Sequence, residues 1–224
     1  MIEVFITRAL NPTYSHLGKW AEATGNEVTG RSLLTFAAVR MPERYAGQDD
    51  WWFFYSPRAV EYGLPYLPNA ERSSRPAAKI AAMGLGTARA IRAAARGFRA
   101  EFVGSGTPAE VAAAFGEVAA GQRVFFPRAK QSRLTVQTLL ADRITVEDAV
   151  CYDNQAVPAD EHIAADVYVF TSPLNVSAYL DHQELSAGAR VIAIGPSTGG
   201  ALAARGVVHE VAATAGEEGV VALL

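Results

Sequence analysis

Two stretches decide the fold: Trp52-Phe53-Phe54-Tyr55-Ser56-Pro57-Arg58-Ala59-Val60 and Tyr168-Val169-Phe170-Thr171-Ser172-Pro173-Leu174-Asn175-Val176. Each opens on an apolar and aromatic run of strand length. Each then passes through Ser-Pro into a segment suited to a helix. The hydroxyl can cap the free amides of the first helical turn, and proline fits the first helical position, where its missing N–H costs nothing. Ser56 and Ser172 lie 116 positions apart, as do Pro57 and Pro173, and Val60 and Val176.

Further blocks match in the same order, which argues against chance. Lys79 to Thr87 aligns with Arg190 to Thr198 at an offset of 111, and Arg96-Gly97 and Glu101 align with Arg205-Gly206 and Glu210 at 109. The amino-terminal Val4 to Ala9 aligns with Val124 to Ala129 at an offset of 120. The shrinking offset is what shorter connections in the second half would produce. Each half alternates short apolar strands with Ala/Leu-rich helical segments, the pattern of βαβ units and parallel sheets. The expected strands are 3–7, 27–30, 51–55, 79–83, 100–103, 123–126, 146–151, 166–171, 190–194 and 207–211. The expected helices are 13–24, 57–63, 86–96, 108–119, 131–141, 174–180, 197–205 and 216–223. The fold class is α/β, with two similar domains of parallel sheet flanked by helices.

Length and composition agree. A chain of 224 residues, half of them hydrophobic and 19% charged, is long enough to bury a full core and is not disordered or fibrous. No apolar run approaches the ~18 residues of a membrane helix, so no membrane association is expected. The amino terminus reads as a strand rather than a secretory signal. One cysteine, Cys151, cannot form an internal disulfide, which fits a reducing compartment such as the cytoplasm. The net charge of −3 argues against a nucleic-acid partner. It says little about a small anionic ligand, because recognition of such a ligand is local.

In doubly wound sheets ligands bind beyond the carboxyl ends of the strands. The turns there are Thr7-Arg8, Ser56-Pro57-Arg58, Gly84-Leu85-Gly86-Thr87, Pro127-Arg128, Thr171-Ser172-Pro173 and Gly195-Pro196-Ser197-Thr198. Each alone reads as a well-capped helix. Together they would present N–H groups and hydroxyls suited to carboxylates. Other patterns carry less. Gly84-Leu85-Gly86 begins a dinucleotide fingerprint, but Arg89 stands at the third glycine, and no Gly-Lys-Ser/Thr phosphate loop exists. Gly104-Ser105-Gly106 lacks the spacing of a nucleophile elbow. His16, His162, His182 and His209 are scattered, and Asp181-His182 with Glu184 reads as an exposed helix end rather than a metal site. None of these patterns points to a metal site or a nucleotide cofactor. Cys151 reads as a small core residue. Tyr152, expected at the end of the strand 146–151 before the polar run Asp153-Asn154-Gln155, reads equally as a packing residue with a wet tip or as a proton donor.

On these residues the chain resembles the uroporphyrinogen-III synthase family over nearly its whole length. The likeness runs from Thr7-Arg8 through the Trp52 to Val60 and Ala82 to Ala88 blocks. It continues through Phe126-Pro127-Arg128, Val150-Cys151-Tyr152, Phe170 to Pro173 and Ile192 to Thr198. It implies two discontinuous domains, 1–37 with 158–224 and 40–154. Linkers around 36–42 and 152–158 would form a two-stranded hinge, with the active site in the interdomain cleft. It implies a monomer that cyclises hydroxymethylbilane to uroporphyrinogen III, with ring D inverted through a spiro intermediate and no cofactor. Tyr152 takes the place of the family's strand-end tyrosine, the acid that would help the hydroxyl leave. Thr7, Ser56, Thr87, Ser172, Ser197 and Thr198 would bind the substrate's propionates and acetates, with Arg8, Arg58 and Arg128 as further partners. The chain departs from the family at Tyr55, where the second repeat has Thr171, and at Asn154. It also has a short stretch, Ala159 to Asp166, where many members carry a helix, and Pro65 and Pro68 cut short the helix after Val60. The alternative is a non-catalytic module that binds a polycarboxylate tetrapyrrole or, less well supported by the glycine patterns, a nucleotide.

Overall fold

The computed structural model describes residues 1–10, 15–44, 48–68, 77–94, 97–157, 161–214 and 216–224. Pro158, expected at a linker end, lies outside them, as do Thr13 and Tyr14 of the first expected helix and Ala95 and Arg96 of the third. The strands are β1 (Glu3–Ile6), β2 (Glu27–Gly30), β3 (Leu34–Ala38), β4 (Trp51–Phe54), β5 (Lys79–Ala82), β6 (Phe102–Val103), β7 (Arg123–Ala129), β8 (Thr145–Ala156), β9 (Val167–Phe170), β10 (Arg190–Ala193) and β11 (Glu210–Val211). The α-helices are α1 (His16–Thr24), α2 (Pro57–Gly63), α3 (Leu85–Ala94), α4 (Pro108–Ala119), α5 (Thr135–Leu140), α6 (Pro173–Leu180), α7 (Pro196–Ala203) and α8 (Glu217–Val221). The chain divides into two compact units, Met1–Thr35 with Gln155–Leu224, and Phe36–Asn154.

In the first unit the sheet runs β11-β10-β9-β1-β2, and its paired strands are parallel. Successive residues alternate faces, and both faces are covered. Phe5, Tyr168, Phe170 and Val191 pack with Tyr179 of α6 and Leu202 of α7. Val4, Ile6, Val167, Val169 and Ile192 pack with Leu17 of α1 and Val220 of α8.

In the second unit the order is β3-β8-β7-β4-β5-β6. Trp52, Phe54, Ile80 and Phe125 meet Val60 of α2 and Ile91 of α3. Trp51, Phe53, Val124 and Phe126 meet Phe115 of α4 and Val136 and Leu140 of α5. Trp51 to Phe54 are all buried, as a continuous apolar run in a doubly covered parallel sheet must be.

The two sheets explain the sequence repeat. Strands β1, β2, β9, β10 and β11, read as 1 to 5, give the order 2-1-3-4-5, one of the doubly wound arrangements. Strands β7, β8, β4, β5 and β6 give the same order, with β3 added outside β8. These are the pairs that the aligned blocks predict: β1 with β7, β4 with β9, β5 with β10 and β6 with β11. Each repeat therefore contributes its first two strands to one unit and its last three to the other. The match extends to backbone detail. Gly97 and Gly206 both hold positive φ, 94° and 70°, a conformation that L side chains disfavour.

Three expectations need correction. The strand β3 is missing from the strands that periodicity gives, although it overlaps the linker expected around 36–42. The strand expected at 146–151 continues to Ala156, so Tyr152 lies inside it rather than at its end. A register shift between Arg128 and Ala129 lets Ala129 pair with Tyr152, and the Lys130 N–H then donates to the Tyr152 carbonyl at 3.0 Å. On the other side the Val39 N–H donates to the Cys151 carbonyl at 2.9 Å, so β8 is bonded on both edges just before the polar run. The helix expected from 131 begins at Thr135, because Leu134 takes a left-handed φ of 55° and the Leu134 N–H turns to the Ser132 hydroxyl. Helix α2 ends at Gly63 and tightens into a 3-10 turn over Leu64–Tyr66, as Pro65 requires.

Candidate active site

Tyr152 is the centre of the second unit's cluster. Its side chain is buried, with 8% of the residue exposed, and its ring stacks on Tyr62 at 5.4 Å between centroids and lies 6.1 Å from Phe36. Its Oη sits 3.4 Å from Ser56 Oγ. Ser56 is extended at φ −154° and caps α2, accepting from the Ala59 N–H at 3.2 Å. The phenol thus faces the amino end of a helix through one hydroxyl. Burial pushes the Tyr152 pKa above its ordinary value, only partly countered by Ser56 and the Arg58 charge, so the proton stays in place at neutral pH. Arg58 lies over the Phe36 ring at 4.5 Å and pairs with Glu61 on the exposed face of α2.

A second network belongs to the other face of the same sheet, where Tyr55 packs. Tyr55 Oη donates to Gln137 Oε1 at 3.3 Å and accepts from the Gln137 backbone N–H at 3.2 Å, and burial pushes its pKa up to about 12. Gln137 Nε2 donates to Asp148 at 3.0 Å, and Asp148 takes Arg128 Nε at 2.7 Å. Arg128 also donates to the Ala129 carbonyl, so much of its guanidinium is committed within the unit. Thr87 is buried in the first turn of α3.

In the first unit the Thr7 and Thr171 side chains cross-brace the ends of β1 and β9. Thr7 Oγ1 accepts from the Thr171 N–H at 3.0 Å, and Thr171 Oγ1 donates to the Thr7 carbonyl at 3.1 Å. Ser172, at φ −164°, repeats the Ser56 cap on α6. Its Oγ accepts from the Asn175 N–H at 3.2 Å and from Asn175 Nδ2 at 3.0 Å. Arg8 pairs with Glu217, which also accepts from Ser15 Oγ at 2.8 Å and the Leu17 N–H at 3.0 Å. Burial alone would raise the Glu217 pKa, but these donors outweigh it and hold the carboxyl below its ordinary value. At the start of α7 Ser197 is exposed and Thr198 is buried.

The predicted residues thus fall into one cluster per unit, Ser56, Arg58 and Tyr152 in one and Thr7 and Ser172 in the other, with Thr87, Ser197 and Thr198 in the first turns of α3 and α7. Arg8, Arg58 and Arg128 each already hold a protein carboxylate, which sequence reasoning did not show for any of them. It also missed Asn175, Glu217, Gln137 and Asp148. For Glu217 the available signal was an acid in the first turn of an expected helix. Asp181, weighed above with His182 and Glu184, pairs with Arg205. Among the described residues no helix is long and apolar enough to cross a membrane.

Residues 17–222 match the family described as uroporphyrinogen-III synthase HemD. No match to the chain was found among curated protein sequences. Of solved structures, the uroporphyrinogen-III synthetase of Helicobacter pylori is similar at a TM-score of 0.68 and 17% identity, covering 100% of this chain and 98% of that one. A mutant uroporphyrinogen III synthase of Thermus thermophilus gives a TM-score of 0.56 at 16% identity, covering 100% and 96%. At these identities the structural likeness speaks for the fold.

Proposed function

The chain belongs to the uroporphyrinogen-III synthase family, cyclising enzymes of tetrapyrrole biosynthesis, and from that premise we propose how its residues act on hydroxymethylbilane. Tyr152 gives its proton to the departing hydroxyl. The C–O bond breaks, water leaves and the pyrrole system, keeping its N–H, becomes an azafulvenium cation opposite the phenolate. Ring D attacks through its substituted carbon, the spiro intermediate fragments and recloses, and the final loss of a ring proton restores the phenol. The products are uroporphyrinogen III and one water.

The observation that carries this reading is the Tyr152–Ser56 pair at the amino end of α2. A buried phenol with a raised pKa keeps its proton until the leaving group demands it. The phenolate left behind then faces a hydroxyl that can donate and the nearby Arg58 charge. General acids of this kind contribute about 10²–10⁴-fold. The remaining task is conformational, holding the bilane so that spiro closure outruns direct closure.

Thr7, Ser56, Thr87, Ser172, Ser197 and Thr198, with the free N–H groups of their helix starts, take the substrate's carboxylates in this proposal. Arg8, Arg58 and Arg128 offer only the guanidinium edges left over from Glu217, Glu61 and Asp148. A monomer in the cytoplasm is part of the same proposal, supported by a buried free cysteine that suits a reducing compartment. The test is freshly generated hydroxymethylbilane with separation of the product isomers. Excess isomer III over a protein-free control is expected. Binding of uroporphyrinogen without conversion would instead make the chain a binding module.

A further inference from the structure

We infer that Asn175 is a positioning residue that makes Ser172 a one-way hydrogen-bond donor towards a substrate carboxylate, an inference that rests on the reading of the Ser172 turn above. A hydroxyl has two lone pairs and one hydrogen. Ser172 Oγ accepts from both the backbone N–H and Nδ2 of Asn175, at 3.2 and 3.0 Å. Both acceptor positions are filled, and only the O–H is left to give.

The amide orientation follows from its neighbours. Asn175 Nδ2 also lies 3.1 Å from Thr171 Oγ1, whose own hydrogen goes to the Thr7 carbonyl. What remains on Thr171 Oγ1 are lone pairs, which take Nδ2 and the Thr7 hydroxyl at 3.2 Å as donors, whereas Oδ1 in place of Nδ2 would face them with lone pairs of its own. The side chain is buried, 5% exposed, and Oδ1 has no hydrogen-bond partner. Folds rarely leave a buried oxygen unpaired without a reason, and here the return is a serine of fixed polarity.

The duplicated turn shows the contrast. Ala59 stands where the second repeat has Asn175, so Ser56 has no side-chain amide to fill its second lone pair. Ser56 can share a proton with Tyr152 in either direction, whereas Ser172 can only donate. A carboxylate, which only accepts, suits Ser172. A ligand group that must itself donate finds no acceptor there.

The experiment uses the full chain as wild type, Asn175→Ala, Asn175→Asp, Ser172→Ala and the Ser172→Ala/Asn175→Ala double variant. Two readouts are taken across pH 5.5–8.5: KM and kcat for hydroxymethylbilane, and the Kd of uroporphyrin III by fluorescence titration. Asn175→Asp should weaken binding at alkaline pH by about tenfold or more, because the introduced carboxylate takes the Ser172 hydrogen. That loss should shrink as pH falls and the carboxyl regains a proton, while kcat changes less than KM. Asn175→Ala should weaken binding severalfold, and the double variant should bind no worse than Ser172→Ala, because Asn175 acts through Ser172.

Additive losses in the double variant would overturn the inference, as would an Asn175→Asp protein with the affinity and pH profile of wild type. If Asn175→Asp does not fold, the Asn175→Ala and double variants decide alone. Failure of the wild type itself to bind uroporphyrin or to form excess isomer III overturns the underlying functional reading, and this inference with it. A competent wild type with additive or unaffected variants removes Asn175 alone.

Discussion

Tyr152→Phe separates chemistry from packing. The ring keeps its place, stacked on Tyr62 at 5.4 Å and 6.1 Å from Phe36, in a site where only 8% of the residue is exposed. What disappears is one hydroxyl whose hydrogen-bond partner, Ser56 Oγ, stands at a long 3.4 Å. A bond that long lies at the weak end of the range, and Ser56 retains its Ala59 cap, so stability should change by no more than about 1 kcal/mol. Catalysis should fall much further. If the phenol supplies the proton for hydroxyl departure, kcat drops about 10²–10⁴-fold, or about 3–5 kcal/mol in the barrier. The assay supplies fresh hydroxymethylbilane, quenches at short times and separates isomers I and III, with thermal unfolding followed in parallel. The slower enzyme lets spontaneous closure compete, so the product should shift towards isomer I. In the wild type, burial raises the Tyr152 pKa above 10.0, so the acid form persists and no alkaline limb from this group is expected below that pH. A variant within about threefold of wild-type kcat, with an unchanged isomer ratio, would remove Tyr152 from the mechanism.

Other outcomes follow from the packing around the clusters. Glu217→Ala removes the acceptor for Arg8, the Ser15 hydroxyl and the Leu17 N–H, and should cost about 2–4 kcal/mol, read as a lowered midpoint in urea. Because the Glu217 pKa is held below 4.5, its contribution is present above that value and is lost as pH falls through the depressed one. Wild type should therefore lose stability on acidification where Glu217→Ala loses less. Gly63→Ala places a Cβ 2.6 Å from Pro127 Cβ and 3.4 Å from Phe54, where neither neighbour can yield easily. Overpacking of about 1–3 kcal/mol should outweigh the helical gain of about 1 kcal/mol, and a stabilised variant would refute the close approach. Cys151 is pushed from 9.0 to about 12 by burial, so its contribution is whole below pH 9 and declines above it. Cys151→Ala should flatten the fall of Tm between pH 9 and 10, where the thiol accounts for up to about 1.4 kcal/mol per pH unit. Identical slopes would contradict the assignment.

Which features were legible in the sequence follows from the range of the interactions that make them. Trp51 to Phe54 and Val167 to Phe170 announce themselves as continuous apolar runs, and Ser56-Pro57 and Ser172-Pro173 mark their helix starts, all within a few residues. Strand β3, Leu-Thr-Phe-Ala-Ala, is short and largely exposed, so it carries no periodic signal. The extension of β8 through Asp153 and Asn154 depends on Lys130 and Gln131, whose side chains bond Asp153 from 23 and 22 positions away. The partners of Arg8 and Thr7 are more distant still, 209 and 164 positions along the chain. Local grammar fixes where a turn stands. Only tertiary structure decides which of its polar groups remain free, and the arginines illustrate this, since only the Arg58–Glu61 pair, three residues apart, could have been read directly.

The exchanged repeat carries that distinction one step further, because it holds two copies of the same turn in different company. Positions that set the backbone agree between copies: Ser56 with Ser172, Pro57 with Pro173, and Gly97 with Gly206 at positive φ. Arg8 and Arg128 also agree, and each is held by an acid, yet the acids come from non-equivalent places, Glu217 in α8 and Asp148 in β8. The positions that tune chemistry differ. Tyr55 stands against Thr171, Ala59 against Asn175, and the Ser56 cap meets the Tyr152 phenol where the Ser172 cap meets the Asn175 amide. Fold and function are therefore separable within one chain. Capping a helix that follows a strand is reason enough for Ser-Pro at both turns, so its presence in both copies is no evidence of catalysis. The neighbours that give Ser56 a phenol and Ser172 an amide are not needed for capping, since the Ala59 and Asn175 backbone N–H groups already satisfy it. Those neighbours are where selection for a reaction, rather than for a fold, has the most room to act.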